Sequence, residues 1–215
     1  MPQSTSPPSD RRSMPGQPHI HRGSSSRQLS PEQLVDWLAA QKGALADRWL
    51  LEIRSRVEDL EPHEEELLAE FLHLLTSFLP RAMGVYRDQV NPIYHQAAEL
   101  YGHLAAVRGL AAGEAVEEVQ LLREVVLRFL YRDPPAAGAG LGLRELLQLS
   151  RLIDRLVTHT SVGHTDTLFF NLFHGNGVPE AATREVLDEV RDQLRALGQE
   201  LRDIQTLEEG GVVVD

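Results

Sequence analysis

"YGHLAAVRG", residues 101–109, sets an aromatic ring, an imidazole and a guanidinium among residues with almost no side chain. The small residues recur at helical spacing. Ala98, Gly102, Ala105, Ala106 and Gly109 form a ridge along one side of a helix. A glycine inside a helix costs about 1 kcal/mol relative to alanine, so Gly102 needs a local reason, and close approach of a second backbone supplies one. Tyr94, Tyr101 and Arg108 are spaced by seven and share a neighbouring face. Two readings follow: a packing ridge where helices meet, or a ligand pocket built from Tyr94, Tyr101, His103 and Arg108, with His164 added from a later helix.

Working outward, every ordered segment has helical periodicity, and no stretch alternates with period two long enough to make a strand. "SPEQ" opens the first helix, with Ser30 as cap, Pro31 at the first position and Gln33 closing a capping box. Its apolar positions run from Leu34 to Ile53, to an end near Arg56. The second helix rises from the acids of "EDLEPHEEELLAE" and runs to a stop or kink at Pro80. Asn91 and Pro92 read as the start of the third helix, which ends at Gly109. A fourth follows from "AGEAVEEVQ", and "PPAAGAGLG" is a loop. The fifth and longest spans about 143–173, with a stripe of Leu146, Leu149, Ile153, Leu156, Thr160, Gly163, Thr167 and Phe170. The sixth, about 179–207, carries Val186, Val190, Leu194, Leu197, Leu201 and Ile204 on an otherwise charged, coiled-coil-like surface.

The expected architecture is therefore all-α: one bundle of about six helices over residues 30–207. A basic tail (1–29), too poor in apolar residues to order itself, precedes it, and a loose C-terminal tail (208–215) follows. The expected packing or dimer interface joins Ala98, Gly102, Ala105 and Gly109 to Leu149, Ile153, Leu156, Thr160 and Gly163.

Charge and composition exclude several functions. The chain carries −11 overall, but residues 1–29 hold four arginines against Asp10, so the remainder carries −14. So acidic a surface repels phosphate backbones, and nucleic acid is not an expected partner. With no cysteine there is no disulfide, thiolate metal site or thiol nucleophile. No apolar run reaches the length of a membrane span and no signal-peptide core is present, so a cytoplasmic location is expected.

Catalytic and cofactor motifs are scarce. His19 and His21 in the tail make at most a loose metal contact. His159 and His164 are five apart, which turns them away from a shared ligand. Glu70 and His73 give one Glu-x-x-His pair, where a di-iron bundle needs two. Lys42 is the only lysine, and phosphate loops and hydrolase elbows are absent. No catalytic residue, metal or cofactor is assigned. The stretch Thr158–Thr167 breaks a leucine-rich helix with poor helix formers, and reads either as a weakly packed kink or as a polar region lining a pocket or subunit interface.

The run Ala97–Leu130, "AAELYGHLAAVRGLAAGEAVEEVQLLREVVLRFL", resembles the core of the RsbT co-antagonist (RsbR-type) N-terminal domain. The resemblance is carried by Tyr101, Gly102, Arg108, Gly109, Glu114, Glu118, Leu121, Leu122 and Arg123, flanked by "ADRWLLEIRSR" (46–56), and spans roughly residues 31–175. It implies a globin-like sensory domain without haem, homodimeric, non-enzymatic, and placed before a stressosome or histidine-kinase output. In place of a STAS or kinase region, the last helix leads into "EEGGVVVD", so direct participation in phosphorelay is not expected. The partner is then an unidentified signalling protein. The alternative is a haem- or metal-binding globin-like sensor using histidines on helices three and five.

Overall fold

The computed structural model describes residues 30–57, 60–134, 142–174 and 183–210. Those residues form six helices: α1 (Pro31–Arg54), α2 (Pro62–Met83), α3 (Arg87–Val107), α4 (Ala112–Arg132), α5 (Leu143–Phe173) and α6 (Arg184–Gly210). Among the described residues there is no strand. The tail 1–29, residues 211–215 and the first residues expected for α6 lie outside the described set.

Local chemistry explains the boundaries. The Ser30 hydroxyl accepts from the Gln33 backbone N–H at 3.3 Å, and the Ser30 N–H donates to the Gln33 side chain at 3.0 Å. That capping box starts α1. α2 runs through Pro80 and ends at Met83. α3 begins at Arg87, one turn before the Asn91–Pro92 start expected from sequence. The added turn is held by the Gln89 and Val90 N–H groups donating to the Tyr86 carbonyl, and Val90 is fully buried. Pro92 sits on the exposed side of the helix. Burial of Val90 and these bonds outweigh the interruption a proline brings.

α3 is the hub. It packs against α5 over the longest interface and also meets α2, α4 and α6, while α1 closes the bundle against α2 and α4. The crossing of α3 and α5 rests on two glycines. A Cβ on Gly102 would lie 2.0 Å from the Thr160 carbonyl oxygen, and one on Gly163 would lie 1.9 Å from the Glu99 carbonyl oxygen. Each glycine thus receives the backbone of the opposite helix. Ala98, Ala105, Leu149, Ile153, Leu156 and Thr160 are buried with them inside one protomer. Gly109 lies apart, exposed in the turn after α3.

The poor helix formers of 158–167 do not kink α5, which runs unbroken through them. Their hydroxyls fold back onto the helix: Thr158, Ser161, Thr165 and Thr167 each donate to the carbonyl four residues earlier. Thr160, at the crossing itself, is the exception, its buried hydroxyl finding no partner among the described residues. It is the small size of the side chains at this level that lets α3 approach.

Gly102→Ala should destabilise the protein by about 3 kcal/mol, the upper range for overpacking, because the Thr160 carbonyl and the His164 backbone nitrogen that its Cβ meets cannot yield. Gly43→Ala, where an added Cβ meets nothing within 4 Å, should instead stabilise by about 0.5–1 kcal/mol. Urea unfolding of the two variants checks the contrast.

Candidate functional site

The bundle centre holds a charge. Glu118 of α4 sits on the buried face between Ala115 and Leu122, and its carboxylate accepts two bonds from the Arg108 guanidinium, each at 3.0 Å. The Tyr101 hydroxyl donates to the same carboxylate at 2.7 Å. The Arg108 and Glu118 side chains are only 3% and 9% exposed. From α1, the Trp49 indole N–H donates to the Glu118 backbone carbonyl at 2.6 Å, so three helices converge on one residue. Burial first, and the adjacent carboxylate second, push the Tyr101 hydroxyl well above the usual phenol range. It remains a donor at any working pH. The bidentate geometry and the third donor offset the cost of taking two charges out of water.

Arg108 also caps α3. Gly109 follows with φ of 78°, the left-handed conformation that glycine adopts without strain. The Gly109 N–H donates to Ala106 and the Leu110 N–H to Ala105, a Schellman closure. The buried His164 of α5 donates its Nε2–H to the Leu110 carbonyl at 2.8 Å. The turn is thereby held to α4 through Arg108 and to α5 through His164.

A second group of imidazoles lies along the α3–α5 seam. His95 and His159 stack with ring centroids 4.0 Å apart, and the His159 Nδ1 is 2.8 Å from the Glu99 carboxylate. Burial, reinforced by the neighbouring His159 and Arg155 and opposed by Glu99, lowers the basicity of His95. His103 makes a 2.8 Å contact between Nδ1 and the Thr167 hydroxyl, and burial lowers its basicity too, with Glu189 of α6 working the other way.

His103 and Thr167 border a cleft of about 890 Å³ between α3, the C-terminal half of α5 and α6. Of the five side chains proposed from sequence as a pocket, only His103 lines this cleft. Tyr94 is wholly buried beside Phe78, with its hydroxyl 3.4 Å from the Leu152 carbonyl. Tyr101 and Arg108 turn to Glu118, and His164 to the turn. The spacing of seven does put Tyr94, Tyr101 and Arg108 on one face, but that face looks into the core. Among the described residues no group of three or more histidine, aspartate or glutamate side chains gathers as a metal set. His73, from the lone Glu-x-x-His pair, instead contacts Asp47 at 3.1 Å, and Glu70 pairs with Arg191 at 3.3 Å.

Sequence reading gave Glu118 only through the resemblance and missed Trp49 as its partner. A legible signal existed: Glu118 interrupts the apolar stripe of α4, and a charge on a buried stripe demands a counter-charge.

A family model described as the RsbT co-antagonist protein rsbRD N-terminal domain matches residues 43–168. The match covers more than half the chain, and the chain belongs to that family. It contains the Arg108–Glu118 pair and the α3–α5 crossing, whereas α6 lies beyond it. Neither the curated proteins nor the solved structures give a match.

Glu118→Gln strands a buried guanidinium and should cost about 3–5 kcal/mol, whereas Arg108→Met with Glu118→Leu removes both charges and should recover much of the loss. Denaturant midpoints measure both. His95 and His103 are held less basic in the fold than in the unfolded chain, whose histidines titrate near 6.5. Below that pH the unfolded chain therefore binds more protons, and their stabilising contribution, complete above it, declines as pH falls. Urea midpoints from neutral to mildly acidic pH should fall less steeply in a His95→Gln, His103→Gln variant than in the parent.

Proposed function

We propose that this member of the rsbRD N-terminal domain family is a non-enzymatic, cytoplasmic sensory module of bacterial stress signalling. Family membership itself makes it a regulatory domain of stress signalling. The further reading is that it has a globin-like, haem-free framework, works as a homodimer in a stressosome-type assembly, and passes a signal through α5 and α6 to a partner protein. No helix among the described residues is long and apolar enough to cross a membrane.

The observation that carries dimerisation is the end of α5. Phe169, Leu172 and Phe173 are 56%, 63% and 85% exposed, large apolar side chains at i, i+3 and i+4 on one face that a soluble monomer rarely leaves in water. The glycine ridge supports the same mechanism in a different way. With Gly102 and Gly163 consumed inside the protomer, α3 and α5 behave as one rigid pair, and a displacement of one is carried by the other.

Light scattering of the full chain should give a dimer, and Phe169→Asp with Phe173→Asp should give a monomer of unchanged helical content. A monomeric parent protein overturns the dimer reading.

A further inference from the structure

The cleft between α3, α5 and α6 has a one-sided chemistry. Carboxylates reach it from all three helices, Glu99 from α3, Asp166 from α5 and Glu189 from α6, and its described lining includes no lysine or arginine. Between them the wall is apolar, with Leu100 and Val107 on one side and Phe170 and Val186 on the other. Its volume, about 890 Å³, lies in the range of small-molecule sites.

Hydrogen bonding sharpens the selection. The single proton of the Thr167 hydroxyl is donated to the Gly163 carbonyl at 2.7 Å. At the 2.8 Å contact the Thr167 oxygen must therefore accept, and His103 must donate from Nδ1. In the neutral ring that leaves Nε2 as an acceptor, and no donor among the described residues meets it. Burial favours the neutral ring. Carboxylates and an imidazole acceptor thus face the same space as an apolar wall.

Taking the chain as a sensory module, we propose that this cleft binds a small organic cation, an amine or amidine with an aromatic or aliphatic body. The charged head sits among Asp166, Glu189 and the His103 Nε2, and the body lies against Leu100, Phe170 and Val186. Within the protein α6 rests chiefly on α2 and α3. A ligand here touches α5 and α6 at once and ties the long helix to the last one, so occupancy sets their relative position.

The test uses the full chain and three probes that differ only at the head: phenylbutylamine, phenylbutanol and phenylbutyrate. Calorimetry measures affinity and amide-resolved NMR locates the contacts. The amine should shift the amides of Leu100, His103, Thr167 and Glu189, with the alcohol and the carboxylate weaker by about tenfold or more, as charge complementarity requires. Asp166→Asn with Glu189→Gln, both exposed positions, should weaken the amine by about tenfold and leave the alcohol unchanged. Equal binding of the three probes, shifts confined to another surface, or no binding of the amine each overturn the proposal. A chain that dimerises but ignores the amine loses the ligand and keeps the sensory reading. A monomer that binds the amine keeps the ligand and loses the dimer.

Discussion

Two backbones in direct contact set the geometry of this protein. At Gly102 and Gly163 the helices α3 and α5 approach until each occupies the space of the other's missing side chain. The position of α5 against the bundle follows from that contact, and so does the cleft, since α6 packs on the α3 flank left free by α5. The two glycines lower the helix propensity of their own segments. That local cost is offset by an interface whose close fit specifies one register, because a shift of either helix along its axis drives a carbonyl into a Cβ.

The buried ion pair serves specificity in another direction. Arg108 sits at the end of α3 and Glu118 within α4, and their bidentate contact has only one satisfactory arrangement of the connecting turn. A leucine pair would pack with similar energy and several geometries. Trp49 and Tyr101 read the same residue from α1 and α3, so Glu118 ties α1 to the α3–α4 hairpin.

What was legible in the sequence followed from local rules. Gly102 stood out because a helical glycine demands compensation, Gly163 as a small residue in the α5 stripe, and the bounds of α5 followed from the preceding loop and the run of stripe positions to Phe170. Glu118 was readable in principle as a charge on an apolar face. Other features depended on distant contacts. The start of α3 moved to Arg87 because Val90 finds a buried site that no local rule announces. Tyr94, Tyr101 and Arg108 were placed on the correct common face, but whether a face looks to a ligand or to a core is decided by the other helices. Of the cleft, His103 and the polar end of the Thr158–Thr167 stretch were legible as pocket lining, but the wall from α6 was not, because it lies about ninety positions after α3 and only the packing of α6 brings the two together.

The length of α5 has a mechanical meaning. Its 31 residues span about 46 Å, at about 1.5 Å per residue. Gly163 stands ten residues before its end, so about 15 Å of helix projects beyond the crossing. The crossing is then a fulcrum and the aromatic tip a pointer. A tilt of about 4° of the α3–α5 pair, pivoting at the glycines, displaces Phe173 by about 1 Å, a distance that close-packed surfaces register. A stiff contact near one end of a long helix converts a tilt too small to disturb the core into a movement that a neighbouring molecule can read.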